Sequence, residues 1–154
     1  MEAFKAAEGI LQLVTLKLGS EEYAIDILKV QEINRMAEIT LVPNAPPHVE
    51  GVVNLRGKVI PVVSLRKKFG FTDKENNKDF RIMITDINGM TMGLVVDSVS
   101  EVLRIPANIV EPTPPMATEV GTEFISGIAK LEDRLIILLD LDKLIEKTGE
   151  LAMI

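Results

Sequence analysis

Residues 51–70 read GVVNLRGKVIPVVSLRKKFG, and the way this stretch divides decides the fold. Val52 to Leu55 and Val59 to Val63 are β-branched runs, and Arg56-Gly57 between them supplies a tight turn. The two runs form a hairpin with Arg56 and Lys58 at its tip. Ser64 then stands where a helix cap would stand, so Arg66, Lys67 and Lys68 fall on one short helical turn. That basic cluster reads as the solvated face of a helix.

The same pattern returns later in the chain. With Gly51–Phe69 laid over Gly127–Ile145, a shift of 76, five of nineteen positions are identical and all nine apolar positions stay apolar. A second match, at a shift of 69, pairs Val30 with Val99, Glu32 with Glu101 and Arg35 with Arg104. The two shifts differ by seven residues, which places an insertion between about 105 and 127, where PANIVEPTPP holds four prolines. The chain therefore reads as duplicated, each half holding two hairpins, a crossover and a short helix, at 65–70 and 140–148.

Further strand signals lie at Leu11 to Leu18, Arg81 to Ile87, Met92 to Val96 and Leu135 to Leu139. Turn signals separate them at Gly19-Ser20, Asn88-Gly89 and Glu132-Asp133. Many short strands with close turns predict a mainly β fold of small barrels, not a βαβ sheet. The expected subdomains are about 10–78 and 79–148 within a single domain spanning 1–154, with a strand crossing between them as an open alternative. Units this small seldom bury their own apolar faces, so the two should share an apolar seam.

Composition narrows the function. The chain of 154 residues has no cysteine, which excludes disulfides and thiolate chemistry. No run approaches the ~18 apolar residues of a membrane span, and residues 1–14 lack the layout of a signal peptide. The expectation is a soluble cytoplasmic protein. A net charge of −6, with one tyrosine and five phenylalanines, argues against a nucleic-acid partner. The single histidine, His48, sits beside two prolines and excludes two-histidine metal sites. Asp140 and Asp142 invite a hard-metal reading, but Asp140 aligns with Ser64 and is read as a helix cap. No constellation calls for catalysis, a metal or a cofactor. The chain offers interface material instead, because Ile27, Val30 and Ile33 recur at three-residue spacing and Val99 and Val102 repeat it. Core packing competes with a partner groove for those five side chains.

Four blocks now stand out: EEYAIDILKVQEI (21–33), the opening stretch, MGLVVDSVSEVLRI (92–105) and FISGIAKLEDRLIILLDLDKLI (124–145). Together they resemble the CheW-like coupling proteins of bacterial chemotaxis over residues 12–147. The resemblance implies two SH3-like five-stranded β-barrel subdomains packed on a shared apolar seam. It also implies a non-catalytic adaptor joining the histidine kinase CheA, through its regulatory domain, to the cytoplasmic tips of methyl-accepting chemoreceptors. Self-association within receptor arrays is a further expectation, without nucleic acid and without insertion into the membrane. Carried over, the receptor contacts fall on Ile27, Val30, Glu32, Ile33, Val99 and Val102, and kinase contacts on Gly51 with its repeat partner Gly127. Arg56 is expected to reach from its hairpin tip to Glu32 and fix the edge of the receptor surface. Because Glu132 occupies the position matching Arg56, only the first half is expected to pair a carboxylate with an arginine at these matched sites. A scaffold paralogue outside flagellar chemotaxis and an SH3-like nucleic-acid module are the alternatives.

Overall fold

The computed structural model describes residues 9–45, 49–71, 78–112 and 124–148. His48, Gly121 and the Pro-rich stretch beyond Pro112 lie outside them. Strands β1 (Ile10–Leu18) and β2 (Glu21–Asp26) pair across the Gly19-Ser20 turn. A 3-10 turn, Ile27–Lys29, leads into β3 (Val30–Arg35); the Asp26 carboxylate caps it by accepting the Leu28 N–H at 2.9 Å. The opening stretch forms β4 (Val49–Leu55), β5 (Lys58–Ser64) and the one-turn helix α1 (Leu65–Lys68). There follow β6 (Arg81–Ile87), β7 (Met90–Val96), β8 (Ser98–Pro106), a second 3-10 turn (Ala107–Ile109) and the two-residue strand β9 (Val110–Glu111). Strands β10 (Ile125–Leu131) and β11 (Arg134–Leu139), then helix α2 (Leu141–Thr148), complete the order.

The strands form two sheets, one in the order β8-β1-β2-β11-β10-β9 and the other β3-β6-β7-β5-β4. The first has six strands, not the expected five, because β9 adds a short rung on β10. The sheets do not divide at residue 78. Strand β3 leaves β2 to pair with β6, and β8 leaves β7 to pair with β1. Each half of the sequence therefore lends a strand to the other's sheet. In both sheets the chain leaving that lent strand also returns to the opposite edge: Thr40 bridges Val52 on β4, and β9 pairs with β10. Such closing rungs curl a sheet toward a barrel and satisfy edge groups that would otherwise stay open.

The duplication is visible rung by rung. The parallel pairs Val62↔Gly93 and Leu138↔Ala24 occupy matching positions under the two sequence shifts. Register breaks also come in matched sets. One set falls at Glu50 and Ser126, the other at Gln31 and Ser100. Each inserts one residue, bends its strand and re-aims the side chains beyond it.

Three apolar clusters follow from this layout. Leu11, Leu13, Ile105 and Leu138 belong to a cluster inside the six-stranded sheet; Val53, Ile60, Ile82 and Val95 belong to one inside the five-stranded sheet. The third and largest draws Leu16, Tyr23 and Ile137 from one sheet and Val63, Met83 and Leu94 from the other, with Leu65 and Leu144 of the helices. This is the shared seam. Both helix caps form as the sequence predicts: Ser64 Oγ accepts the Lys67 N–H at 3.2 Å, and Asp140 Oδ1 accepts the Lys143 N–H at 3.1 Å.

Candidate partner-binding site

The two crossing strands carry Val30, Glu32, Ile33, Val99 and Val102, with Ile27 in the 3-10 turn just before β3, and their position follows from topology. Ile27, Val30 and Val99 are half-buried and pack on the seam cluster. Core and surface readings therefore meet in the same three side chains. Beyond the bulges at Gln31 and Ser100, Ile33 is 40% and Val102 55% exposed, while Leu103 and Ile105 of β8 face the core cluster of the six-stranded sheet. Ile33 and Val102 are repeat-matched, and exposed apolar groups at matched positions belong to contact surface more readily than to a core.

Arg56 and Glu32 meet. The arginine occupies a left-handed conformation (φ 51°) at the first turn position, with Gly57 (φ 85°) second. Asn54 Oδ1 accepts the Gly57 N–H at 3.0 Å and closes the turn. From there Arg56 Nη2 donates to Glu32 Oε2 across the mouth between β3 and the β4–β5 hairpin. That hydrogen bond, helped by one from Asn34, holds the Glu32 carboxyl below the ordinary carboxylate range.

The second half also holds its Glu101 with an arginine, though not from Glu132, the position that matches Arg56. Arg134 serves Glu101 at 2.9 Å and grips Glu22 with two bonds, at 3.2 and 2.7 Å. Its position matches Lys58, two residues beyond the expected place. Glu132 keeps the left-handed turn conformation (φ 49°) of its counterpart Arg56, so the turn shape repeats while the cation has moved onto the strand. Donating first to Glu22 and second to Glu101 pushes the pKa of the Arg134 guanidinium further up.

Gly51 and Gly127 are not brought together. They lie in different sheets, each beside a matched bulge, and both are buried. Gly51 has φ 142°, and a Cβ there would stand 2.1 Å from the Thr40 carbonyl oxygen. Its glycine is required for the Thr40–Val52 rung, so it shapes the hairpin and offers no side chain to a partner.

Two features escaped the sequence. Leu28, in the 3-10 turn before β3, is 86% exposed and is the most exposed large apolar side chain among the described residues. Its signal was the capping aspartate two residues earlier, which marks a fixed turn. Asp97, buried between β7 and β8, is bound by Arg66 of α1 and accepts the Gly19 N–H at 2.9 Å. That ion pair ties the β1–β2 turn to the helix after β5, and no local pattern encodes it.

The family comparison bears on this architecture, since residues 12–149 match the model of the CheW-like domain. The chain belongs to the CheW-like family. Chemotaxis protein CheW of Klebsiella aerogenes is 36% identical over 143 residues, covering 93% of this chain and 86% of that one. The Helicobacter pylori CheW is 37% identical over 140 residues, covering 91% and 84%. The crystal structure of the scaffolding protein TtCheW from Thermoanaerobacter tengcongensis superposes with a TM-score of 0.81 at 43% identity, covering 88% of each chain. The fold of this CheW-like chain, with two sheets on a common seam, agrees with that likeness. Among the described residues no group of three His, Cys, Asp or Glu side chains could hold a metal. No described helix is long and apolar enough to cross a membrane.

Proposed function

We propose that this CheW-like protein is a non-catalytic adaptor of chemotaxis that links the histidine kinase CheA to the cytoplasmic helical tips of chemoreceptors. The observation that carries the reading is the pair of exchanged strands, β3 and β8. Both present apolar side chains at repeat-matched positions, and both are flanked by a carboxylate held by an arginine. An amphipathic helix of a partner needs such an apolar track with polar rims. Receptor contact is assigned to Ile27, Val30, Glu32, Ile33, Arg56, Val99 and Val102. Kinase contact is assigned to the β4–β5 and β10–β11 hairpins that hold Gly51 and Gly127. The repeat also leaves Val59 and Leu135 exposed at matched places on the two hairpins, which supports association with homologous domains or with further copies of this chain. The working place is the cytoplasm, beneath receptor arrays.

The test is co-sedimentation of the full chain with a soluble chemoreceptor signalling fragment and CheA. The reading expects a three-component complex whose kinase content falls when the adaptor is left out. A chain that pellets with neither partner would refute it.

A further inference from the structure

Each helix of the fold reaches an ion pair to the connection that launches an exchanged strand. In α1, Arg66 Nε stands 3.2 Å from Asp97 Oδ1, and Asp97 is the link into β8. In α2, Asp142 receives Lys29 Nζ on both carboxylate oxygens, at 3.3 and 3.2 Å, and Lys29 ends the 3-10 turn that leads into β3. Arg66 and Asp142 are matched by the repeat, each the second residue after its helix cap. The two contacts therefore share a matched helix position that carries opposite charge, while their strand-side partners stand one residue out of register, Lys29 matching Ser98 and Asp97 matching Leu28. In both halves the second residue after the helix cap thus makes an ion pair to the connection before an exchanged strand, whichever side supplies the cation.

The two contacts differ in depth. Arg66 and Asp97 expose only 13% and 10% of their side chains, whereas Lys29 and Asp142 expose 29% and 39%. The first fixes the base of β8. The second holds Ile27–Lys29 from the outside, and that turn carries Ile27 and the protruding Leu28 directly before Val30. A partly exposed, solvent-screened ion pair contributes little to global stability, so its value here lies in where it puts its neighbours.

We infer that Lys29 and Asp142 are positioning residues: the helix α2, through this pair, sets the angle at which Ile27, Leu28 and Val30 meet the partner helix. The inference rests on the adaptor reading, because it needs a partner at that surface. Neither residue has to touch the partner itself.

Charge reversal in the full chain tests this, with a purified chemoreceptor signalling fragment as the binding probe and thermal unfolding beside it. Lys29→Asp and Asp142→Lys should each weaken fragment binding about tenfold, the size expected when a coupled pair is broken. Each should melt within a few degrees of the parent. The double exchange, Lys29→Asp with Asp142→Lys, should recover most of the affinity, which loss of a direct Lys29 contact with the partner would not allow. Should a reversal aggregate, Lys29→Met keeps the aliphatic stem, removes the ammonium and carries the same expected loss. Single variants that bind like the parent would overturn the inference, as would a double exchange no better than Lys29→Asp alone. Failure of the parent itself to bind the fragment would count against the adaptor reading, a separate result.

Discussion

Arg56 holds an unusual place for a side chain of its size. A left-handed backbone is cheap for glycine or asparagine and mildly strained for arginine. Arg56→Asn should therefore keep the turn, melt within a few degrees of the parent and still lose affinity for the receptor fragment, because the reach to Glu32 is gone. The same variant has a pH signature. Glu32's carboxyl lies below its ordinary value because Arg56 donates to its charged form. The depressed value means that whatever the pair contributes is present above the unfolded-state range and lost as pH falls through the folded-state value. At neutral pH the pair is intact, so binding should be level between about pH 6 and 8 as far as Glu32 is concerned. A carbon-detected titration of Glu32 should show its midpoint rising toward the ordinary range in Arg56→Asn; no movement would mean that the arginine does not hold it. Gly51 gives the opposite kind of prediction. A methyl group there meets the Thr40 carbonyl, so Gly51→Ala should cost about 2–4 kcal/mol in urea unfolding. Any loss of kinase binding in that variant would follow from the damaged hairpin.

At the level of elements, legibility depended on whether a signal was local. The β4–β5 hairpin, its turn and the caps at Ser64 and Asp140 could all be read, since each rests on residues within a few positions of one another. Ser64→Ala should cost about 1 kcal/mol, seen as a lower urea midpoint with unchanged slope. Strands β3 and β8 were harder. VQEINR and SVSEVLR carry polar, partly exposed alternation, and nothing in them names a partner in the other sheet. Their bulges at Gln31 and Ser100 became visible only in the ladders. The Glu32–Arg56 contact was legible because a conspicuous turn arginine had one matched carboxylate to explain. The Arg134–Glu101 pair was missed because the cation moved two residues along the hairpin, out of strict repeat register.

For the molecule as a whole, strand exchange has a thermodynamic consequence. Neither sheet is complete without residues from both halves of the sequence, and the largest apolar cluster is built from both sheets. Unfolding should accordingly be a single transition, with calorimetric and van't Hoff enthalpies in agreement. A fragment ending at residue 78 should not fold, since β1 would lose β8 and β3 would lose β6. The same exchange places β3 and β8 as the moulded rims of one seam, and this gives the adaptor reading its central claim: the exposed apolar positions on those strands are receptor contact surface and not core. Ile33→Glu and Val102→Glu test it most directly. Both side chains are already exposed, so each variant should stay within about 0.5 kcal/mol of the parent in stability. Titration of the receptor fragment should nevertheless show at least a tenfold loss of affinity for each, because an unpaired charge would be buried at the interface. CheA binding should be retained. Parent-like affinity for the receptor fragment in both variants would contradict the account.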